Sequence, residues 1–271
     1  MAFDGGSQGN GQPIMADDMA TGSITLAPAP PMAPPAEAIA KKHIIVIDPG
    51  HGGIDPGATS HSGIKEKDVV LAFAESLRKD LEDSGRYEVL LTRNADTYVK
   101  LDDRVKFART HEAELFIALH ADTLDDRTTR GTTVYTISDK ASDAEAERLA
   151  QKENNVDSIV GANIPQQNQG VANALMNLAQ RESRSEALAF AQKALREVKP
   201  VGQLTRNPLR SASFVVLKAP DVPSVLVELG YLSNDADVSL LNSSTWRVEM
   251  SEALTKAVDS YFAPITASAA Q

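Results

Sequence analysis

Cysteine is absent from the 271 residues. Disulfides, thiolate metal sites and a cysteine nucleophile are therefore excluded. Any metal must be held by imidazole and carboxylate, a donor set that points to zinc or a harder ion. The absence suits an oxidising compartment as well as the cytosol and does not choose between them. Positive charge is also short. The formal net charge is −10, which argues against nucleic acid or an anionic membrane surface as the main partner but leaves room for a local basic patch. Long apolar runs are missing too: no stretch reaches the length of a membrane span, and the N-terminus lacks the basic-then-apolar order of a signal peptide.

What the chain does have is 42% hydrophobic residues, enough at this length for a real core in one large domain or a domain with an appendage. That domain is expected over residues 42–264. Residues 1–41 are rich in Gly, Ser, Ala and Pro and include Ala27-Pro28-Ala29-Pro30-Pro31-Met32-Ala33-Pro34-Pro35. Such a composition cannot bury a core and is expected to be an extended, disordered linker. A linker with nothing folded ahead of it is expected to belong to a longer protein, whose upstream part holds an export signal and has room for a targeting domain. Residues 265–271 read as a short tail.

Ile44-Ile45-Val46-Ile47 is a short β-branched run and reads as a buried parallel strand. Helical spacing follows from Glu66 to about Asp83 through Val69, Val70, Phe73, Leu77 and Leu81, with Gly85 where a C-cap glycine is expected. Tyr87–Thr92 and Leu115–His120 read as strands on either side of a helix from Leu101 to about Thr110. Gly131–Ile137 alternates as a less buried strand. A long helical stretch from Ser142 to about Lys199 is broken by Gly161 and by Gln166-Gln167-Asn168-Gln169-Gly170. Phe214–Leu217 and Val225–Glu228 are expected as strands, followed by helices near Asp235–Leu241 and from about Thr245 to Phe262. Strands alternating with helices give an α/β class: a mostly parallel or mixed twisted sheet with helices on both faces, plus a helical insertion at about 139–212.

The first strand breaks into Asp48-Pro49-Gly50-His51-Gly52-Gly53-Ile54-Asp55-Pro56-Gly57-Ala58, a loop whose glycines open backbone angles closed to other residues. A tight turn with an incidental histidine is the plain reading. A phosphate-cradling loop is weaker, because no Gly-Lys-Ser/Thr follows and the spacing is not G-x-G-x-x-G. A histidine just past the end of a central strand, however, stands where α/β sheets put their chemistry, and a second strand also ends in histidine, His120. Neighbouring parallel strand ends lie about 5 Å apart, so the two can converge on one ion. Glu66, at the start of the first helix, adds a carboxylate, and two imidazoles plus a carboxylate are a standard catalytic zinc set with a position left for water.

Against this, a strand-end histidine is often structural, and Glu66 also suits the positive end of a helix dipole. His43 and His111 begin or precede their strands at the opposite edge of the sheet, and His61 sits in a polar loop within reach of a substrate. Glu228 ends the apolar run Ser224-Val225-Leu226-Val227, where a carboxylate is costly unless paired or used. Its alternative is a salt bridge to Arg93 or Arg104.

The loop Asp48–Ala58, the later Glu66, Ile117-Ala118-Leu119-His120-Ala121-Asp122 and Val227-Glu228-Leu229-Gly230-Tyr231-Leu232-Ser233-Asn234 together resemble the zinc-dependent N-acetylmuramoyl-L-alanine amidases. This is the bacterial cell-wall class called Amidase_3, and the likeness covers roughly His43 to Ala263. The resemblance implies Zn2+ bound by His51, Glu66 and His120, with Glu228 as the catalytic glutamate. It also implies hydrolysis of the amide joining N-acetylmuramic acid to L-alanine in peptidoglycan, in the periplasm, for septal splitting at cell division. None of these four positions departs from the family pattern. Two other readings stand: a zinc peptidase or deacylase with the same ligands, and a non-catalytic cell-wall-binding module that keeps the fold.

The insertion looks like that of the family's cell-division members, where a helix can block the active site and give a carboxylate to the zinc, and where LytM-type proteins act as activators. Ser142-Asp143-Ala144-Glu145 reads as a capping box, which gives Glu145 a local task. Glu147 falls on the polar side of its helix. Glu153 lies among Leu149, Val156 and Val160, inside the apolar stripe. Glu153 is therefore expected to occupy the fourth zinc position and hold the enzyme off; the other reading is a surface glutamate near a helix end. The second insertion helix, about Val171 to Val198, carries Leu175, Leu178, Leu188, Phe190 and Leu195. An apolar patch left exposed there is expected to take the LytM-type activator, with complete packing on the domain as the alternative.

Overall fold

The computed structural model describes residues 41–159 and 174–263. The linker up to residue 40, the breaks at Gly161 and Gln166–Gly170, Val160 and the tail at 265–271 lie outside the described residues. Among those described, six strands form one mixed sheet in the order β2-β1-β3-β6-β4-β5. They are β1 (His43–Pro49), β2 (Tyr87–Leu91), β3 (Leu115–His120), β4 (Thr132–Ile137), β5 (Leu204–Ala212) and β6 (Ser224–Glu228). The first, second, third and sixth run parallel; β4 meets β6 antiparallel and pairs parallel with β5.

The chain goes from β1 to β2 on one side of β1 and returns through helix α2 (Leu101–Thr110) to β3 on the other. Strand order thus reverses between β1 and β3, and a crevice opens outside the carboxyl ends of strands at such a reversal. Both histidine-bearing strand ends border it.

Alternation along β1 sends Ile45 and Ile47 to one face and Val46 to the other. On the first face they meet α1 (Glu66–Asp83), α5 (Ala174–Val198) and α7 (Ser244–Phe262) through Phe73, Leu77, Phe190, Ala194, Met250 and Leu254. On the second, Val46, Phe116, Tyr135 and Leu226 pack with Ala108 of α2, Leu149 of α3 (Ala144–Asn154) and Phe214. Each of the leucines, isoleucines, valines, phenylalanines and the methionine among them, fully buried, contributes roughly 1.5–3 kcal/mol. Helices therefore cover both faces. The expected insertion divides between them: α3 stands on the second face through Ala146, Leu149 and Ala150, followed by the short α4 (Val156–Ile159), while α5 is built into the first core as the crossover from β4 to β5.

Three segments differ from expectation. β4, expected to be less buried, is buried from Thr132 to Thr136, because it lies inside the sheet between β6 and β5. Leu204–Ala212 is a strand, although Arg206, Asn207 and Pro208 interrupt any alternation. It lies at the sheet's edge, where proline and exposed polar groups are tolerated, and its register with β4 slips between Thr132 and Val134. Phe214–Leu217, expected as a strand, instead packs Phe214 edge-on against Tyr135, centroids 5.4 Å apart, and turns through one 3₁₀ helix at Val215–Leu217. The Asn154 side chain takes this backbone's hydrogen bonds, accepting from Val215 N–H at 2.7 Å and donating to the Ser213 carbonyl at 2.8 Å. Among the described residues no helix is long and apolar enough to cross a membrane.

Candidate metal centre

Beyond β1 the backbone of His51 takes a left-handed conformation, φ 60°, which costs on the order of 1–3 kcal/mol in a non-glycine residue. Two buried arginines hold it there. Arg104 donates to the Pro49 carbonyl at 2.9 Å, the His51 carbonyl at 2.8 Å and the Asp48 carboxylate at 2.7 Å. Arg93 donates to the Pro49 carbonyl at 2.9 Å and the Gly50 carbonyl at 2.8 Å. Burial, then repulsion from Arg104, pushes the Arg93 guanidinium down to about 10. Space is equally tight. A Cβ on Gly57, φ 65°, would stand 2.6 Å from the His51 ring, and one on Gly50 would stand 2.5 Å from the His120 ring.

The alternative of Glu228 salt-bridged to Arg93 or Arg104 is thereby corrected, since both guanidiniums face the loop's carbonyls. Arg104→Met should lower the unfolding free energy by about 3–5 kcal/mol, because Asp48 would keep a buried charge without its partner. Urea unfolding measures this, and a loss under about 1 kcal/mol, the value of an exposed pair, would contradict the clamp.

The Nδ1 of His51 pairs with Asp55 at 2.7 Å, leaving Nε2 pointed inward, buried and without a hydrogen-bond partner. Glu66 does not face solvent at its helix end. Fully buried, it accepts from Ala58 N–H at 2.8 Å and Ala121 N–H at 2.9 Å. Its Oε1 lies 3.1 Å from both His51 Nε2 and His120 Nδ1. Glu153, near the end of α3, brings Oε2 to 3.7 Å from His51 Nε2 and 3.6 Å from His120 Nδ1, and its Oε1 is buried without a partner.

The donor atoms of His51, His120 and Glu153 all lie within 4.8 Å of one another. A tetrahedral ion with bonds of about 2.0–2.1 Å needs its ligand atoms about 3.3–3.4 Å apart. The four edges above run from 3.1 to 3.7 Å and bracket that value. The charges agree. Burial alone would lower the His51 imidazole, but Glu66, Glu153 and the bond to Asp55 raise its pKa well above the ordinary value. Burial alone would raise the Glu66 carboxyl, but His51 and His120 bring it well below. Such a cluster favours added positive charge. The space left between Gly50, His51, His120, Glu153 and Val216 is about 10 Å³, room for little more than one water or ion.

Strand register sets Glu228 beside His120. Glu228 is fully buried, accepts from Asp122 N–H at 3.0 Å through Oε2, and leaves Oε1 without a partner. Burial first, then Glu66 and Asp122, raises its pKa well above the ordinary carboxylate value. Asp122 is itself buried and pairs with Lys152 of α3.

The remaining candidates fall elsewhere. His43 pairs with Glu114 at 2.7 Å at the far end of β1, and His111 bonds the Phe107 carbonyl at 2.8 Å. His61 lines a neighbouring cleft. The capping box at Ser142 is corrected: Asp143 caps α3, accepting from Glu145 N–H at 3.1 Å and Ala146 N–H at 3.0 Å, and Glu145 pairs with Arg210 at 2.6 Å. Glu147 is exposed and accepts from Gln151 at 2.9 Å. Sequence reasoning does not single out Asp55, Asp122 or Lys152. Asp55 alone carries a signal, four residues after a histidine in a turn-forming loop.

Fold and site together define a class: an α/β domain whose strand-order reversal holds a buried cluster, His51, His120 and Glu153, able to bind a metal ion, with the buried Glu66 against both histidines and the buried Glu228 beside His120. Known proteins narrow the class. The Amidase_3 family, described as N-acetylmuramoyl-L-alanine amidase, matches residues 45–260. The N-acetylmuramoyl-L-alanine amidase AmiA of Escherichia coli (strain K12) is 38% identical over 230 residues, 84% of this chain and 79% of that protein. AmiC of Neisseria meningitidis serogroup B is 37% identical over 223 residues, 82% of this chain and 53% of that protein. The solved catalytic domain of CwlV, the amidase from Bacillus (Paenibacillus) polymyxa var. colistinus, is similar with a TM-score of 0.61 at 25% identity, over 81% of this chain and 97% of that one. This chain belongs to the N-acetylmuramoyl-L-alanine amidase family, Amidase_3.

Proposed function

We propose that the chain is a zinc-dependent amidase of peptidoglycan, cleaving the bond between the lactyl group of N-acetylmuramic acid and the L-alanine of the stem peptide, in the periplasm and at the division septum. The observation that carries this reading is the convergence of His51 and His120 on Glu66, 3.1 Å from each, with Glu228 beside His120 on the neighbouring strand, on a family fold whose relatives bear that activity's name. Zinc held by these three residues would supply a Lewis acid for the scissile carbonyl and lower the pKa of a water towards 7.

The chain's own groups do the rest. Asp55 fixes the His51 tautomer that leaves Nε2 available. Glu228, its Oε2 tied to Asp122 N–H, offers the free Oε1 as acceptor for the attacking water's proton and returns that proton to the departing alanine nitrogen.

Glu153 serves in this reading as an inhibitory fourth ligand. Its near-complete burial, its approach to both histidines and the roughly 10 Å³ left around it support that role, since no substrate fits there. Leu178, 61% exposed, and Leu188, 42% exposed, on α5 support docking of a LytM-type activator.

The test is digestion of purified peptidoglycan by protein that is zinc-loaded, stripped by chelator, or stripped and reloaded, with mass analysis of the products. Stem peptides beginning at a free L-alanine, released only with zinc, are expected. Cuts between stem residues would mark a peptidase instead, and retention on the sacculus with no cut a binding module.

A further inference from the structure

A cleft of about 690 Å³ opens where the loops after β3 and β6 meet the loop before α1. Its wall begins at Thr59, one residue past Ala58, whose N–H holds Glu66, and at Thr123, one residue past Asp122, whose N–H holds Glu228. The loops are tied to each other: Leu232 N–H bonds the Asp122 carbonyl at 2.8 Å, Leu124 N–H bonds Ser233 at 3.0 Å, and the Asn234 side chain donates to the Arg127 carbonyl at 2.8 Å. The cleft is therefore framed by the same loops that hold Glu66 and Glu228. An extended peptide advances about 3.3–3.6 Å per residue, so a stem peptide running from the centre along these loops would bring its first residues to this cleft.

The cleft is basic on a chain of net charge −10. Arg127, Arg130 and His61 line it, against one acid, Asp235. Arg127 is exposed, and among the described residues its guanidinium makes no ion pair. Arg130 approaches only Asp237, at 3.4 Å, and its buried Nε has no hydrogen-bond partner. Asp237 is committed elsewhere, accepting from Gly131 N–H at 2.7 Å and Tyr231 N–H at 3.0 Å. The nearby Asp126 is tied to Thr128 and Thr129, and Asp125 to Arg148. Two arginines thus line the cleft with guanidinium donors to spare, and a carboxylate is the ligand their fork geometry fits best. In peptidoglycan the residue after L-alanine is a γ-linked D-glutamate, whose α-carboxyl is either free or amidated.

We propose that this cleft is the stem-peptide subsite and that Arg127 and Arg130 bind the free α-carboxylate of the peptide's second residue. The inference rests on the amidase reading and adds a specificity to it: preference for the unamidated stem.

The test reads binding rather than turnover, so that it fails separately from the digestion experiment above. Two synthetic muramyl peptides, identical except for a carboxylate or a carboxamide at that α-position, are titrated by calorimetry. The protein is the full zinc-loaded chain carrying both Glu228→Gln and Glu153→Ala, so that the centre is open to the peptide. The carboxylate form is expected to bind about ten- to hundredfold tighter, and Arg127→Gln with Arg130→Gln to reduce that preference to within about threefold. The corresponding lysine pair should keep part of the preference. If the double glutamine variant fails to fold, Arg127→Gln alone, at an exposed position, gives the reading. Equal binding of the two peptides, binding of neither, or an arginine variant that weakens both alike would overturn the assignment.

Discussion

Glu228→Gln or Glu228→Ala is expected to cut hydrolysis of peptidoglycan by at least about 10²–10⁴-fold, the usual effect of removing a general acid–base group, while zinc stays bound. The residue ends the strand next to that of His120, with one carboxylate oxygen tied to Asp122 and the other without a partner. Nothing in the fold needs that second oxygen. A buried carboxylate next to Glu66 and Asp122 is a cost to stability, so the glutamine variant should have a thermal midpoint no lower than that of the parent. Turnover by product mass analysis, zinc content and thermal unfolding are read on the same preparation. Near-normal turnover would end the assignment. Loss of zinc together with activity would make Glu228 a ligand instead.

Glu153→Ala is expected to act in the opposite direction, raising basal hydrolysis roughly 5- to 150-fold, the range over which coupled conformational equilibria usually operate. In the proposed reading its carboxylate closes a centre that otherwise has three donors, and the residue sits at the end of a helix anchored by other groups. Ala146, Leu149 and Ala150 keep α3 on the core, and Asn154 and Lys152 hold its end to Val215 and Asp122. The change should therefore open the site without unfolding the segment. The measurement is dye release from labelled sacculi at equal zinc occupancy. Unchanged or lower activity in a folded, zinc-loaded variant would remove the inhibitory role.

Much of this site is legible in the sequence because its chemistry interrupts apolar runs. His120 ends Leu115–Leu119 and Glu228 ends Ser224–Val227, and in a sheet buried on both faces such interruptions have few uses. Glu153 is legible in the same way, as a carboxylate within an apolar helical stripe. The arginine clamp is not legible, because Arg93 and Arg104 bind main-chain carbonyls, which leave no mark on side-chain patterning. β5 is hidden by its place at the edge, where arginine, asparagine and proline are tolerated. Phe214–Leu217 shows the reverse: an apolar run with every mark of a strand, folded instead into a packing turn whose backbone is satisfied by Asn154. The helix cap shifts by one residue because serine and aspartate cap equally well.

By composition alone, the Gly- and Pro-rich stretch from Pro49 to Gly57 is a hinge. Its carbonyls at Pro49, Gly50 and His51 are held by the two arginines, and that of Gly53 by Lys67 at 2.9 Å. Its amides at Gly50 and Gly52 are bonded to Leu119 and Asp55. The loop's main chain is thus tied to the core beneath it before any ion arrives, so taking one up there needs little new ordering. Little entropy is lost on metal binding, and the freedom that any opening of the centre requires is left to the helix above it.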